Sequence, residues 1–127
     1  MSTNKTENYG LHAWVAGDDF LLSEINENFG KLDGGARMLT GTYTGDGTEG
    51  RIIALGVTPK AVLVLQGGLL LQQGSYSYGG LALSDMPAGN PTLVEIVEEG
   101  FQVLYRNYGG VLASNQGGKL YSYIAFY

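Results

Sequence analysis

The chain has no cysteine, one histidine, one tryptophan, three prolines and only seven basic residues among its 127. Without cysteine there are no disulfides, no thiolate chemistry and no thiolate metal sites, so packing alone must stabilise the fold. The single histidine, His12, leaves nothing for a multi-histidine metal site. A Ser-His-Asp triad would also depend on this one residue, which lies in an irregular stretch where an exposed or docked side chain is expected. Seven basic residues against twelve acids give a formal net charge of −5 and no basic stripe, so nucleic-acid binding is not expected. Long apolar runs are absent too. The most apolar stretch, Ala61 to Leu71, is broken by Gln66-Gly67-Gly68 and falls well short of the roughly 20 residues that span a bilayer, so membrane insertion is not expected. The opening Met-Ser-Thr-Asn-Lys-Thr-Glu-Asn has no signal-peptide core, and synthesis in a cytoplasm is the expectation.

What the chain does have is glycine and tyrosine, 21 and nine residues, with 44% apolar residues and only 15% charged. That charge content is below the usual quarter and suits short strands, tight turns and a surface partly covered by neighbouring copies. The length supports one β-domain with a short appendage. We read residues 1–17 as an extended segment, residues 18–35 as a helix and residues 36–127 as a β-domain.

The helix is expected from Asp18 to Asp33. Asp18 and Asp19 would cap its start, Lys31 lies in its last turn, and Gly34-Gly35 offers a left-handed stop. Leu22, Ile25, Phe29 and Leu32 form one narrow apolar stripe, with Glu24, Glu27 and Lys31 pointing away from it. Such a stripe packs either on the chain's own β-domain or on other copies. With Leu22 and Phe29 at a and Ile25 and Leu32 at d, it is close to the pattern that favours more than two strands. An isolated helix of this length is marginal in water, so something must cover the stripe.

After Gly35, short β runs alternate with turn residues, the rhythm of a β-sandwich or barrel. Strands are expected at 38–44, 51–55, 61–66, 69–73, 80–84, 93–97, 101–106, 111–114 and 119–127. Asp46-Gly47 and Glu99-Gly100 would be hairpin turns, and Ser84 to Pro91 the longest loop. Ala61 to Leu65 and Leu69 to Leu71 are apolar on both faces, which calls for an external partner.

No catalytic set stands out. Gly45-Asp-Gly-Thr-Glu-Gly50 matches a dinucleotide fingerprint, but a strand follows it where a helix is required. Among the acids of the β-part (Asp46, Glu49, Asp85, Glu95, Glu98 and Glu99), only Glu95, inside an apolar strand, hints at burial. No enzyme activity, cofactor or metal is expected. The residues suited to binding are aromatics and amides: Tyr76, Tyr78, Asp85, Asn90, Asn107, Tyr108, Asn115 and Gln116. Tyrosine serves sugar recognition and subunit interfaces alike. Tyr76 and Tyr78, two apart in an extended segment, would project about 7 Å apart and seat adjacent sugar rings. Tyr121, Tyr123 and Tyr127 are assigned to packing between subunits, together with the Leu22, Ile25, Phe29, Leu32 seam.

Three stretches together resemble bacteriophage tail-fibre and related virion-fibre proteins. These are Asn8-Tyr-Gly-Leu-His-Ala-Trp14 with Asn26-Glu-Asn-Phe29 and Leu32-Asp33; Gly41-Thr-Tyr-Thr-Gly45 with Arg51-Ile-Ile-Ala-Leu-Gly-Val-Thr-Pro-Lys-Ala-Val-Leu-Val64; and the final Tyr121-Ser-Tyr-Ile-Ala-Phe-Tyr127. Val57 stands where that family commonly has an aromatic. The resemblance implies a virion component: a homotrimer with a coiled-coil-like helix and a β-sandwich or jelly-roll-like head. Its amino-terminal segment, with Tyr9, Leu11 and Trp14, would attach to other virion proteins. The head would contact a host surface glycan or protein. A structural head, neck or collar fibre without a ligand reads the same way, and a carboxylate-dependent glycan hydrolase is a distant third.

Overall fold

The structure, a computed structural model, describes residues 1–68, 71–89 and 92–127. The chain divides into two compact units, Met1–Ala36 and Arg37–Tyr127.

In the first unit, β1 (Asn4–Lys5) and β2 (His12–Ala13) pair antiparallel, with Asn4 opposite Ala13 and Lys5 opposite His12. The expected irregular segment is therefore a small hairpin. Thr6 N–H donates to Leu11 O, and Gly10, at φ +61°, makes the return that a side chain would resist. Its strands are too short to leave a periodic signal in sequence.

The helix, α1 (Leu22–Asp33), starts later than expected, and Leu21 at its N-cap makes no side-chain capping bond. Asp18 is occupied elsewhere. Its carboxylate accepts from the Thr3 hydroxyl, the Thr3 N–H and the Val15 N–H, and those bonds hold its pKa below the ordinary value. A carboxylate that ties the turn at Val15 to Thr3 cannot also cap a helix. The expected left-handed stop is absent as well. Gly34 is right-handed, at φ −78° and ψ −5°, and its N–H continues the last turn to Gly30 O.

The second unit holds β3 (Met38–Thr44), β4 (Glu49–Ala54), β5 (Ala61–Gln66), β6 (Gln72–Gln73), β7 (Tyr76–Ser77), β8 (Gly80–Leu83), β9 (Val94–Val97), β10 (Gly100–Asn107), β11 (Val111–Ala113) and β12 (Leu120–Phe126). One sheet runs β3-β12-β5-β8, antiparallel throughout. The other runs β4-β10-β11-β7-β6, with β9 also on β10 and one parallel pair, β11 with β7. The protein is thus mainly β with several sheets. Glu98 and Glu99 close the β9–β10 hairpin, Val97 standing opposite Gly100 and Glu99 at φ +58°. Asp46-Gly47 closes none, because β3 pairs with β12 and β4 with β10. The chain changes sheets there.

The core lies where inner faces of both sheets meet. Tyr43, Val62, Val64, Tyr121 and Ala125 from the first are buried in one cluster with Val94, Phe101 and Val103 from the second. Tyr43 stacks on Tyr121 at 5.0 Å, and Phe101 meets the Tyr123 ring edge-on at 5.1 Å. The assignment of Tyr121 to a subunit contact is therefore corrected: it is completely buried in its own core. Tyr123 is half-buried against Phe101 and Tyr43, while Tyr127 lies under the Arg37 guanidinium. Sequence alternation separates the two faces of β12 but not which one points inward. The tyrosine face does, and Leu120, Ser122 and Phe126 are exposed.

Candidate functional site

On α1 the expected polarity is inverted. The apolar stripe is open: Leu22 is 70% and Phe29 65% exposed, and Leu32 is exposed beside them, with Ile25 half-buried. The polar face does the packing. Glu24 is the buried residue of the helix, accepting both the Ser2 N–H and the Trp14 indole N–H. Asn28, one turn on, accepts the His12 N–H and donates to the His12 carbonyl, and Lys31 donates to Gly10 O. Glu24, Asn28 and Lys31 thus form the stripe on which the hairpin sits, so Glu24 and Lys31 do not form a solvated face.

His12 is docked rather than free, its Nε2 2.9 Å from Glu27 and its Nδ1 3.3 Å from Glu24. Trp14 is half-buried, in contact with the Phe20 ring at 4.5 Å. Of the residues expected to attach the segment to a virion, Tyr9 is exposed, Leu11 half-buried, and Trp14 held by its own unit.

Burial pushes the Glu24 carboxyl up, but the Ser2 and Trp14 N–H groups and nearby His12 outweigh it and hold the pKa low. Lys31, hydrogen-bonded to Glu27, and then His12, bring Glu27 down to about 2. A carboxylate with a depressed folded pKa stabilises above its unfolded value and loses that contribution as pH falls through the folded one. Docking of the hairpin is therefore expected to be complete above about pH 4.5 and to loosen between there and about pH 2. The emission of Trp14, the only tryptophan, should shift to the red over that window. An unchanged emission maximum down to pH 2 would refute the role given to these carboxylates.

The candidate ligand residues of the β-unit separate into two groups. Asn115 is fully buried and serves the fold. Its amide donates to Asp46 Oδ1 and the Thr48 carbonyl, and its Oδ1 accepts from the Asp46 N–H and from Arg51. Hydrogen bonds from Thr48 and then Asn115 hold Asp46 down at about 2. Gln116 is half-buried, its N–H bonded to the Tyr121 hydroxyl. Gly45 lies so close to the β11–β12 connection that an added Cβ would sit 2.0 Å from Gln116 O. The pairing of Asn115 and Gln116 with a ligand is corrected for Asn115. Its polar groups already have partners within the chain.

The second group lies around the β10–β11 turn and β7. Register places Asn107, Val111 and Tyr76 in one row across β10, β11 and β7, and Arg106, Leu112 and Ser77 in the next. Asn107, Tyr108 and Tyr76 are exposed and Tyr78 is half-buried. Tyr76 and Tyr78 project together as expected, but their rings stack on each other at 5.8 Å and 22°. Each already uses part of a face, so the pair is no platform for two adjacent sugars.

Beside them is a concavity of about 370 Å3 lined by Ser75, Ser77, Arg106, Tyr108, Leu112 and the turn glycines. Sequence reading missed Arg106. The available signal was a lone cation directly before the Asn107-Tyr108 pair. Asp85 is exposed in the turn bridged by Leu83 and Met86, and Asn90 lies outside the described residues. Glu95, expected to be buried, is exposed on β9.

The outward face of the β3-β12-β5-β8 sheet is apolar over several rows. Cross-strand register sets Thr40, Ile124, Leu63 and Leu81 in one row and Met38, Phe126, Ala61 and Leu83 in the next, followed by Thr42, Ser122 and Leu65. No charged side chain stands in these rows. Met38, Leu65, Leu81, Leu83 and Phe126 are all exposed. No protein family, no curated protein and no solved structure matches this chain.

Proposed function

We propose that the chain is a bacteriophage virion fibre protein that acts as a homotrimer and whose β-head adsorbs to a host surface glycan or protein. The observation that carries this reading is the presence, on one small chain, of two exposed apolar surfaces, one in each unit: the α1 seam and the outer sheet face. Contiguous exposed apolar surface of this kind marks association sites. The sheet rows span on the order of 300 Å2, below the roughly 800 Å2 per partner of a stable interface, so a second contact is needed. The Leu22, Ile25, Phe29, Leu32 stripe supplies it as a parallel, coiled-coil-like seam. In this reading the two sheets form a jelly-roll-like sandwich, and the amino-terminal hairpin, with Tyr9 outermost, joins other virion proteins. The head acts by binding, without catalysis or cofactor.

Light scattering on the purified chain is expected to give three times the 13.5 kDa protomer mass. A monodisperse monomer at micromolar concentration would refute it. Labelling intact particles separates adsorption from decoration. A tail-tip position is expected, and a capsid or collar position would favour a structural fibre without a ligand, a reading consistent with the burial of Asn115.

A further inference from the structure

Arg106 is a half-buried cation on β10. Among the described residues Arg37, Lys60, Arg106 and Lys119 form no ion pair with a carboxylate, and of these four only Arg106 is half-buried rather than exposed. The four residues not described include no acid. Its guanidinium lies 5.3 Å from the centre of the Tyr108 ring, which is itself 71% exposed. Both residues line the 370 Å3 concavity with Ser75 and Ser77, a volume at the lower end of the roughly 300–1,000 Å3 of small-molecule sites.

Backbone hydrogen bonds and strand register set this arrangement. The turn after Tyr108 returns through Gly109 and Gly110, both at positive φ, and the Val111 N–H then bonds Ser75 O at 2.8 Å. Ser77 is in register with Leu112 on β11, and Leu112 with Arg106 on β10.

A planar, doubly donating cation, an accessible aromatic ring and hydroxyls around one concavity suit a ligand with three matching features. These are a carboxylate for the guanidinium, an apolar C–H face for the ring and hydroxyl groups for the serines. We propose that this concavity binds an acidic saccharide of the uronic-acid class, with its carboxylate on Arg106 and its pyranose ring against Tyr108. The proposal rests on the receptor-binding reading and assigns that reading a ligand chemistry.

The test is an NMR titration of the full chain with glucuronate, glucose and inorganic phosphate. Glucuronate is expected to shift the Ser77, Arg106 and Tyr108 resonances at concentrations about tenfold below those at which glucose or phosphate does, the loss of one charge-assisted pair being worth about that factor. Arg106→Gln should reduce glucuronate binding to the level of glucose. Arg106→Lys should recover only part, since an ammonium lacks the fork. Tyr108→Ala should bring glucuronate down to the level of phosphate. Equal binding of glucose and glucuronate, or of phosphate and glucuronate, would overturn the proposal, as would shifts clustering elsewhere.

Cell adsorption distinguishes this failure from that of the wider reading. If the protein adsorbs to bacteria carrying a uronic-acid capsule and Arg106→Gln adsorbs equally well, the site is wrong although the chain binds receptors. If glucuronate binds at Arg106 and no cells are bound, the site stands and the adsorption role fails.

Discussion

Tyr121→Ala is expected to cost the β-unit about 3–5 kcal/mol, the range for removing a large ring from a close-packed core. That is a large part of the 5–15 kcal/mol that holds an ordinary domain together. The ring is completely buried and stacks on Tyr43, so truncation leaves a cavity that the two sheets cannot close without shifting toward each other. The hydroxyl has its own role. It donates to the Ala113 carbonyl, accepts the Gln116 N–H at 3.0 Å and lies 3.1 Å from Gln66 Oε1. Tyr121→Phe keeps the ring and leaves those groups short of a partner, for a smaller expected loss of about 1–3 kcal/mol.

Denaturant titration followed by near-ultraviolet circular dichroism measures both. A Tyr121→Ala protein that melts like the parent but dissociates would return this residue to the subunit interface.

How much of this was legible in the sequence depended on repeat length. β12 alternates cleanly and β3 and β5 are long runs bounded by turn residues, so their limits could be read within a residue or two. The β1–β2 hairpin and β7 have two residues per strand, too few for any period, and their pairing depends on contacts remote in sequence. Glycine gave its positions but not its reasons. Tyr78-Gly-Gly and Tyr108-Gly-Gly look alike, yet Gly109 and Gly110 are needed for positive φ, whereas a Cβ on Gly79 would sit 2.0 Å from Val64 O.

The sharpest divergence was at Glu24. Charge on a helix face suggests solvent, but two donors, the Ser2 N–H and the Trp14 indole N–H, converge on this carboxylate, and only tertiary structure brings them there. Arg106 was overlooked for a related reason. A single cation carries no motif, and its lack of a carboxylate partner is a property of the fold.

If the chain is the trimer proposed above, Leu63→Asp is expected to dissociate it while leaving the β-unit folded. Leu63 sits on the outer face in the row between Ile124 and Leu81 and is half-buried in the single chain. An aspartate there can reach water in a monomer, and the expected cost to folding is that of a surface change, about 0.5 kcal/mol or somewhat more. In a trimer closed over these rows, each copy would instead bring an unpaired carboxylate into an apolar contact facing the same group from its neighbours. A buried charge without a partner costs several kcal/mol, which corresponds to at least a hundredfold or so in the dissociation constant.

Phe29→Asp tests the second surface independently, since that ring is 65% exposed on α1. Under the proposed trimer, light scattering should therefore give protomer mass for each variant at concentrations where the parent gives three times that mass, with thermal unfolding of the β-unit little changed. Leu63→Thr, uncharged and suited to a strand, controls for local folding. If Leu63→Asp keeps the trimer mass and the parent's melting curve, the outer sheet face is not a subunit contact. The helix seam alone would then have to hold the particle together.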